Sequence, residues 1–110
     1  MSKKIKAIIK RPDEKVGHMT AISPSLENLQ KTVGGYIETV TFGKAVIICD
    51  EEGRLKGKEY NCKIGNVDFV GTIIMVGSDG EEFADVPIDF GAWKTLLTLS
   101  EIAPELFYGG

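Results

Sequence analysis

The segment Ser25–Val40 constrains the fold most, because it combines a helical pattern, a double glycine and the start of a strand. Leu26, Leu29 and Val33 recur at helical spacing, which predicts a short helix with one narrow apolar face. Tyr36 then begins an alternating run that is typical of a strand. The chain therefore passes from helix to strand near its middle.

Both ends of this helix have recognisable signals. Ser23 is expected to cap the first turn, with Pro24 at the first helical position, where its missing N–H costs nothing. At the other end, Gly34-Gly35 supplies a residue for the left-handed conformation that ends a helix. The predicted helix is thus about ten residues long.

Apolar, β-branched or alternating runs predict strands on both sides of the helix. They are Lys4–Lys10, Val16–Ile22, Tyr36–Phe42, Ala45–Cys49, Val67–Val76 with a bulge at Gly71, and Glu82–Val86. Arg54–Ile64 is expected to be irregular, while Phe90–Leu99 and Pro104–Tyr108 are expected to be helical. This order predicts an α+β fold: a mostly antiparallel sheet of five to six strands, one central helix and a C-terminal helical segment, with the helices on one face.

Length and composition narrow the class of protein. The 110 residues are expected to form one domain, 1–110, and 43% apolar with 26% charged residues is typical of a soluble globular protein. The net charge of −3 argues against duplex nucleic acid as a partner. No apolar run is long enough for a membrane span, and Lys10-Arg11-Pro12 interrupts the apolar N-terminal run before it could form a secretion signal. A cytoplasmic protein is expected.

The sequence contains no recognisable catalytic or metal-binding pattern. His18 is the sole histidine and has no nucleophile signature beside it, and Asp50-Glu51-Glu52-Gly53 lacks the spacing of a calcium loop. Cys49 and Cys62 lack zinc-ligand spacing, and we expect two free thiols, Cys49 buried and Cys62 exposed. The sequence predicts no catalytic residue, no metal, no cofactor and no enzyme activity.

The candidate binding residues lie in two places. The loop Arg54–Lys63 concentrates positive charge, and Glu59 is the one carboxylate within it, so we expect it to contact a phosphate or an acidic surface. A second place is beside the double glycine, where Gly35 could let a partner or ligand approach the backbone. The candidate residues are Arg54, Lys56, Lys58, Tyr60, Asn61 and Lys63 in the loop, and Tyr36 and Glu38 beside the glycines.

Several short motifs resemble one family when they are taken in order. They are Lys6–Lys10, Leu26–Glu38, Asp50–Gly57, Asn61 and Val70–Thr72. Together they are similar to DUF3846, a family of small domains of unknown function from phages and mobile elements of gut bacteria. The resemblance is strongest over residues 4–77, and the segment after about Asp85 is not placed by it. It implies a phage or integrated-element origin and supplies no catalytic residues.

Two classes of function remain open at this point. The first is a non-catalytic accessory protein that binds a protein partner, such as a host defence factor that it would inhibit. The second is a small-molecule binder that sequesters a phosphorylated ligand such as a nucleotide. In that case the Arg54–Lys63 loop would hold the phosphate, and Tyr36 or Tyr60 would stack on the base.

Overall fold

The structure is a computed structural model that describes residues 3–107. Its elements are β1 (Ile5–Lys10), β2 (His18–Ile22), α1 (Leu26–Val33), β3 (Ile37–Phe42), β4 (Ala45–Asp50), β5 (Tyr60–Ile64), β6 (Val67–Val70), β7 (Ile73–Asp79), β8 (Glu82–Ala84), α2 (Phe90–Ile102) and a short 3₁₀ helix (Pro104–Phe107). The predicted run Pro104–Tyr108 is therefore a 3₁₀ turn as far as Phe107, and Tyr108 lies outside the described residues.

The strands form two sheets. Five of them are ordered β2-β1-β7-β4-β3, a sixth strand, β8, pairs with the end of β7, and every neighbouring pair is antiparallel. Strands β5 and β6 form a separate two-stranded hairpin. The predicted α+β fold with a mostly antiparallel sheet of five to six strands is confirmed. The hairpins β1–β2 and β3–β4 are also those that the sequence predicts.

The helices cover opposite faces of the large sheet, so the prediction of helices on one face is wrong. On one face, Val46 and Ile48 of β4 pack with Leu29 of α1. On the other, Ile47 packs with Trp93 of α2 and with apolar residues of the β5–β6 hairpin. Every residue of β4 is buried, because a central strand covered on both faces is apolar at even and odd positions alike.

Two predicted elements are wrong between residues 54 and 76. The run Val67–Val76 is not one bulged strand: Gly71, with a φ of 71°, separates β6 from β7, which lie in different sheets. The segment Arg54–Ile64, expected to be irregular, forms strand β5 in its second half. This strand lacks an apolar pattern in the sequence because one of its buried residues, Asn61, is polar. The Asn61 side chain forms hydrogen bonds there and makes no apolar packing contribution.

The helix α1 begins later than expected but ends as predicted. Ser25 rather than Ser23 is the cap, since its Oγ accepts a hydrogen bond from the N–H of Asn28 at 3.2 Å. The helix has eight residues instead of about ten, and Leu26 is exposed. Gly34 has a φ of 83° and donates its N–H to the Gln30 carbonyl, which confirms the glycine stop.

The helix α2 is longer than expected, since Asp89 caps it and it continues to Ile102. Within α2, the indole Nε1 of Trp93 donates a hydrogen bond to the Val16 carbonyl at 2.7 Å. This bond connects α2 to the segment between β1 and β2. No helix among residues 3–107 has the length and apolar character that crossing a membrane requires.

Candidate functional site

The lysines of the predicted basic loop are paired with a carboxylate, contrary to expectation. Asp50 ends β4, and the turn that follows folds back so that Lys56 Nζ and Lys58 Nζ lie 2.8 and 2.7 Å from its Oδ2. The Asp50 side chain is only 1% exposed. Burial by itself would raise the pKa of Asp50, but the hydrogen bonds from both lysines outweigh it and lower the pKa to about 2.

The same two lysines also hold the C-terminal end of α1. Lys58 Nζ donates to the Val33 carbonyl at 2.7 Å, and Lys56 Nζ donates to the Gly34 carbonyl at 3.1 Å. These are carbonyls without partners inside the helix, and a cation is favourable at this end of the helix dipole. Lys56 and Lys58 therefore have a structural role that the spacing of the loop did not reveal.

The double glycine is explained by this cluster. A Cβ atom at Gly35 would lie 2.5 Å from Lys56 Nζ and 2.7 Å from Asp50 Oδ1. The space beside Gly35, predicted to admit a partner or ligand, is thus filled by the chain's own ion pair. What remains accessible nearby is the Tyr36 side chain, which is 67% exposed.

Three further candidate residues meet at Asp68. Arg54 Nη2 donates to the Asp68 carbonyl at 2.7 Å, the Tyr60 hydroxyl donates to Asp68 Oδ1 at 2.8 Å, and Lys63 Nζ lies 3.1 Å from that oxygen. The hydrogen bonds from Tyr60 and Lys63 lower the pKa of Asp68. The pKa of Tyr60 is raised to about 12, mainly by partial desolvation and secondly by the hydrogen bond to Asp68.

Asn61, the last of the loop candidates, lies in β5 and is buried. Its Nδ2 donates to the carbonyls of Lys10 and Gly71, at 2.8 Å in each case, and its Oδ1 accepts from Lys10 Nζ. The structure therefore divides the predicted loop site into three clusters, around Asp50, Asp68 and Lys10. Sequence reasoning missed Lys10, although a lysine that directly follows a buried Ile8-Ile9 pair is a signal for it.

The candidates beside the glycines lead to an open strand edge. Among residues 3–107, β3 pairs with β4 alone, across the two-residue turn Gly43-Lys44. In such a hairpin the residues flanking the turn form a hydrogen-bonded pair and the pattern alternates from there. Val40 therefore bonds to β4, whereas Thr39 and Thr41 direct their backbone N–H and C=O groups away from the sheet. The hydrogen bond from Glu51 N–H to the Tyr36 carbonyl, 2.8 Å, fits this alternation.

A groove of about 390 Å³ runs between this edge strand and β6. Its floor is apolar, formed by Val40, Cys49 and Phe69 together with flanking valines of β6. Leu55 borders it and is 87% exposed.

Acidic side chains outnumber basic ones around this groove, which Arg54 also lines. Glu38 and Glu51 both line it and are exposed, and neither forms an ion pair within residues 3–107. Burial, together with the negative charges of Glu38 and Asp50, raises the pKa of Cys49 to about 11. We call this feature the acidic groove, defined by Val40, Cys49 and Phe69 on its floor and Glu38 and Glu51 on its rim.

Other reactive groups are occupied or shielded. His18 Nδ1 lies 2.8 Å from Glu14 Oε2 at the surface. Cys62 is half-buried in β5 rather than exposed, and burial raises the pKa of its thiol to about 11. Both cysteines are free, as expected. Within residues 3–107, no three His, Cys, Asp or Glu side chains converge as a metal site would require.

Comparison with known proteins gives one match. A family model described as a domain of unknown function (DUF3846) matches residues 5–97. The match begins in β1 and ends in α2, so it includes residues 86–97 of the segment after Asp85 that the sequence motifs left out. It also spans the acidic groove and Lys10. No curated protein and no solved structure matches the chain.

Proposed function

We propose that this chain, which belongs to the DUF3846 family, is a non-catalytic binding module that accepts an extended segment of a partner protein along the outer edge of β3. The observation that carries the proposal is the acidic groove lying directly beside that unpaired edge. The pairing would extend the large sheet by one strand.

The edge of β3 lacks three of the usual protections against pairing, and Glu38 is its one charged side chain. Natural proteins blunt an exposed edge with proline, lysine or a bulge. Ile37–Phe42 contains no proline and no lysine, and its register with β4 is regular throughout. An added strand would hydrogen-bond to the outward backbone groups of Thr39 and Thr41. Such backbone pairing supplies affinity in strand addition, and adjacent side-chain pockets supply specificity.

The groove indicates the chemistry of the partner. Side chains of an added strand alternate between the two faces, so every second one would face Glu38 and the groove floor. An apolar side chain fits over Val40 and Phe69, and a lysine or arginine beside it would meet the carboxylates of Glu38 and Glu51. The expected partner segment is extended, with basic and apolar residues on the same face.

The biological setting is a further part of this proposal. We base a phage or mobile-element origin on the family resemblance, a cytoplasmic location on the charged residues that interrupt the apolar N-terminal run, and inhibition of a host defence factor on an analogy with small acidic phage proteins. A defence nuclease with an accessible basic segment is the type of target that an acidic groove would suit.

Selection from a displayed library of random peptides tests the proposal. We expect the enriched peptides to be extended and to carry basic and apolar residues two positions apart. Glu38→Lys and Glu51→Lys should each weaken the selected peptide by about tenfold, because a charge-assisted contact is replaced by repulsion. The dissociation constants are measured by calorimetry.

The matched control is Glu81→Lys, the same charge change in the exposed turn between β7 and β8, and it should leave affinity unchanged. Equal affinity of all three variants would place binding elsewhere and contradict the proposal. Failure to enrich any basic peptide would contradict it as well.

A further inference from the structure

A buried cation on the other side of the β5–β6 hairpin is not used by the acidic groove. Lys10 ends β1 and is only 4% exposed. Within residues 3–107 no carboxylate lies within ion-pair distance of its Nζ. Lysine is almost never fully buried unless it is paired, because an ammonium loses its hydration there. A negative charge beside Lys10 would therefore stabilise its buried ammonium group.

The partner that Lys10 does have is an oriented amide. Asn61 Oδ1 accepts from Lys10 Nζ at 2.8 Å. The amide cannot turn freely, because its Nδ2 is already bound to the carbonyls of Lys10 and Gly71. An ammonium has three donors, and this contact satisfies one of them. Asn61 thus holds the cation in place without neutralising it.

Lys10 lines a pocket of about 340 Å³, a size typical of small-molecule sites. We call it the Lys10 pocket. Two more lysines line it, Lys15 and Lys63, against the carboxylate of Glu101. Lys63 also pairs with Asp68 at 3.1 Å, and even when that carboxylate is counted the three lysines leave the pocket with net positive charge. The remaining lining residues are Tyr60, Asn61, Cys62 and Leu97.

We propose that the Lys10 pocket binds a small phosphorylated ligand that carries hydroxyl groups, of the nucleotide or sugar-phosphate class. Its phosphate provides the missing counter-charge to Lys10, and Lys15 and Lys63 contact it from the rim. Glu101 favours this class over a bare phosphate, because its carboxylate accepts hydrogen bonds from sugar hydroxyls. Leu97 and the Tyr60 ring offer apolar surface for the rest of the ligand.

This site is separate from the one proposed for a protein partner. The acidic groove borders β6, whereas the Lys10 pocket borders β5 and α2. The two sites share no lining residue, and they have opposite charge. Either can therefore be lost by mutation while the other is kept.

Calorimetry with three probes tests the inference: adenosine monophosphate, ribose 5-phosphate and uncharged adenosine. We expect both phosphorylated probes to bind and adenosine to bind far more weakly. Lys10→Met should weaken the phosphorylated probes by about tenfold or more, since a hydrogen bond to a charged group is lost. Lys15→Met should weaken them as well, and it leaves the contact between Lys10 and Asn61 intact should Lys10→Met fold poorly.

The matched control is Lys44→Met, which removes one exposed lysine from the β3–β4 turn and should bind like the unmodified protein. Tighter binding of adenosine monophosphate than of ribose 5-phosphate supports the nucleotide class, and equal binding supports the sugar-phosphate class. The inference is overturned if neither phosphorylated probe binds at millimolar concentration. It is also overturned if adenosine binds as tightly as its phosphate, or if Lys15→Met and any folded Lys10→Met keep full affinity.

Discussion

Asp50, which the predicted binding site does not include, connects the turn after β4 to the end of α1. Its buried carboxylate holds Lys56 and Lys58, which in turn hold the carbonyl end of α1, and it also accepts from the N–H of Glu52 at 2.9 Å. Removing one partner of such a cluster leaves buried polar groups unsatisfied, which is more costly than losing a surface ion pair. The turn after β4 is therefore fixed to the helix before β3.

The lowered pKa of Asp50 predicts acid sensitivity. A group whose pKa falls to about 2 on folding stabilises the folded state above the unfolded value near 3.8, and this stabilisation is lost as the pH falls toward 2. Glu14 and Asp68, whose pKa values are also lowered, act in the same direction. We expect the free energy of unfolding, measured by urea denaturation, to decrease from pH 5 to pH 2.

The variant Asp50→Asn distinguishes the contribution of Asp50 to acid sensitivity from the contributions of the other acidic residues. The variant should be less stable at pH 7 by roughly 1–3 kcal/mol, and its stability should depend less on pH between 5 and 2. Asp79→Asn, at the exposed last residue of β7, is the control and should follow the unmodified protein. A pH dependence that is identical in Asp50→Asn would contradict the account of this carboxylate.

At the scale of elements, the sequence predicts local structure better than it predicts pairing. The helix stop at Gly34 and the turn at Gly43-Lys44 are encoded within a few residues, and both are confirmed. Gly71 within an apolar run predicts a bulge, and only the fold, in which β6 and β7 lie in two sheets, reveals that a strand ends there. For the same reason the carboxylates that pair with Lys56 and Lys63 could not be identified, since Asp50 and Asp68 approach them only through the fold.

The register of β3 gives a prediction for this element. Thr39→Pro removes an N–H that points away from the sheet, whereas Val40→Pro removes one that bonds to β4. Proline is tolerated on the open side of an edge strand, but it costs about 3 kcal/mol or more where a bonded N–H is lost. Thermal denaturation should therefore show a much larger decrease in melting temperature for Val40→Pro. Equal decreases would mean that the alternation along β3 is assigned wrongly.

At the scale of the molecule, the β5–β6 hairpin separates two surfaces of opposite charge. The acidic groove lies toward β3 and the Lys10 pocket toward α2. A net charge of −3 gives no indication of this separation, because Lys10 and the two glutamates of the groove are far apart in sequence. The sequence could nominate Glu38, Tyr60, Asn61 and Lys63 as candidates, but the fold alone assigns Glu38 to one surface and the other three to the second.

Amide hydrogen exchange along β3 tests the central claim most directly. In the free protein, the amides of Thr39 and Thr41 should exchange rapidly and that of Val40 slowly, because Val40 bonds to β4 and the two threonines do not. When the protein is saturated with a selected basic peptide, exchange at Thr39 and Thr41 should slow strongly, as these groups become paired. Unchanged exchange at both threonines in the saturated complex would contradict strand addition at β3.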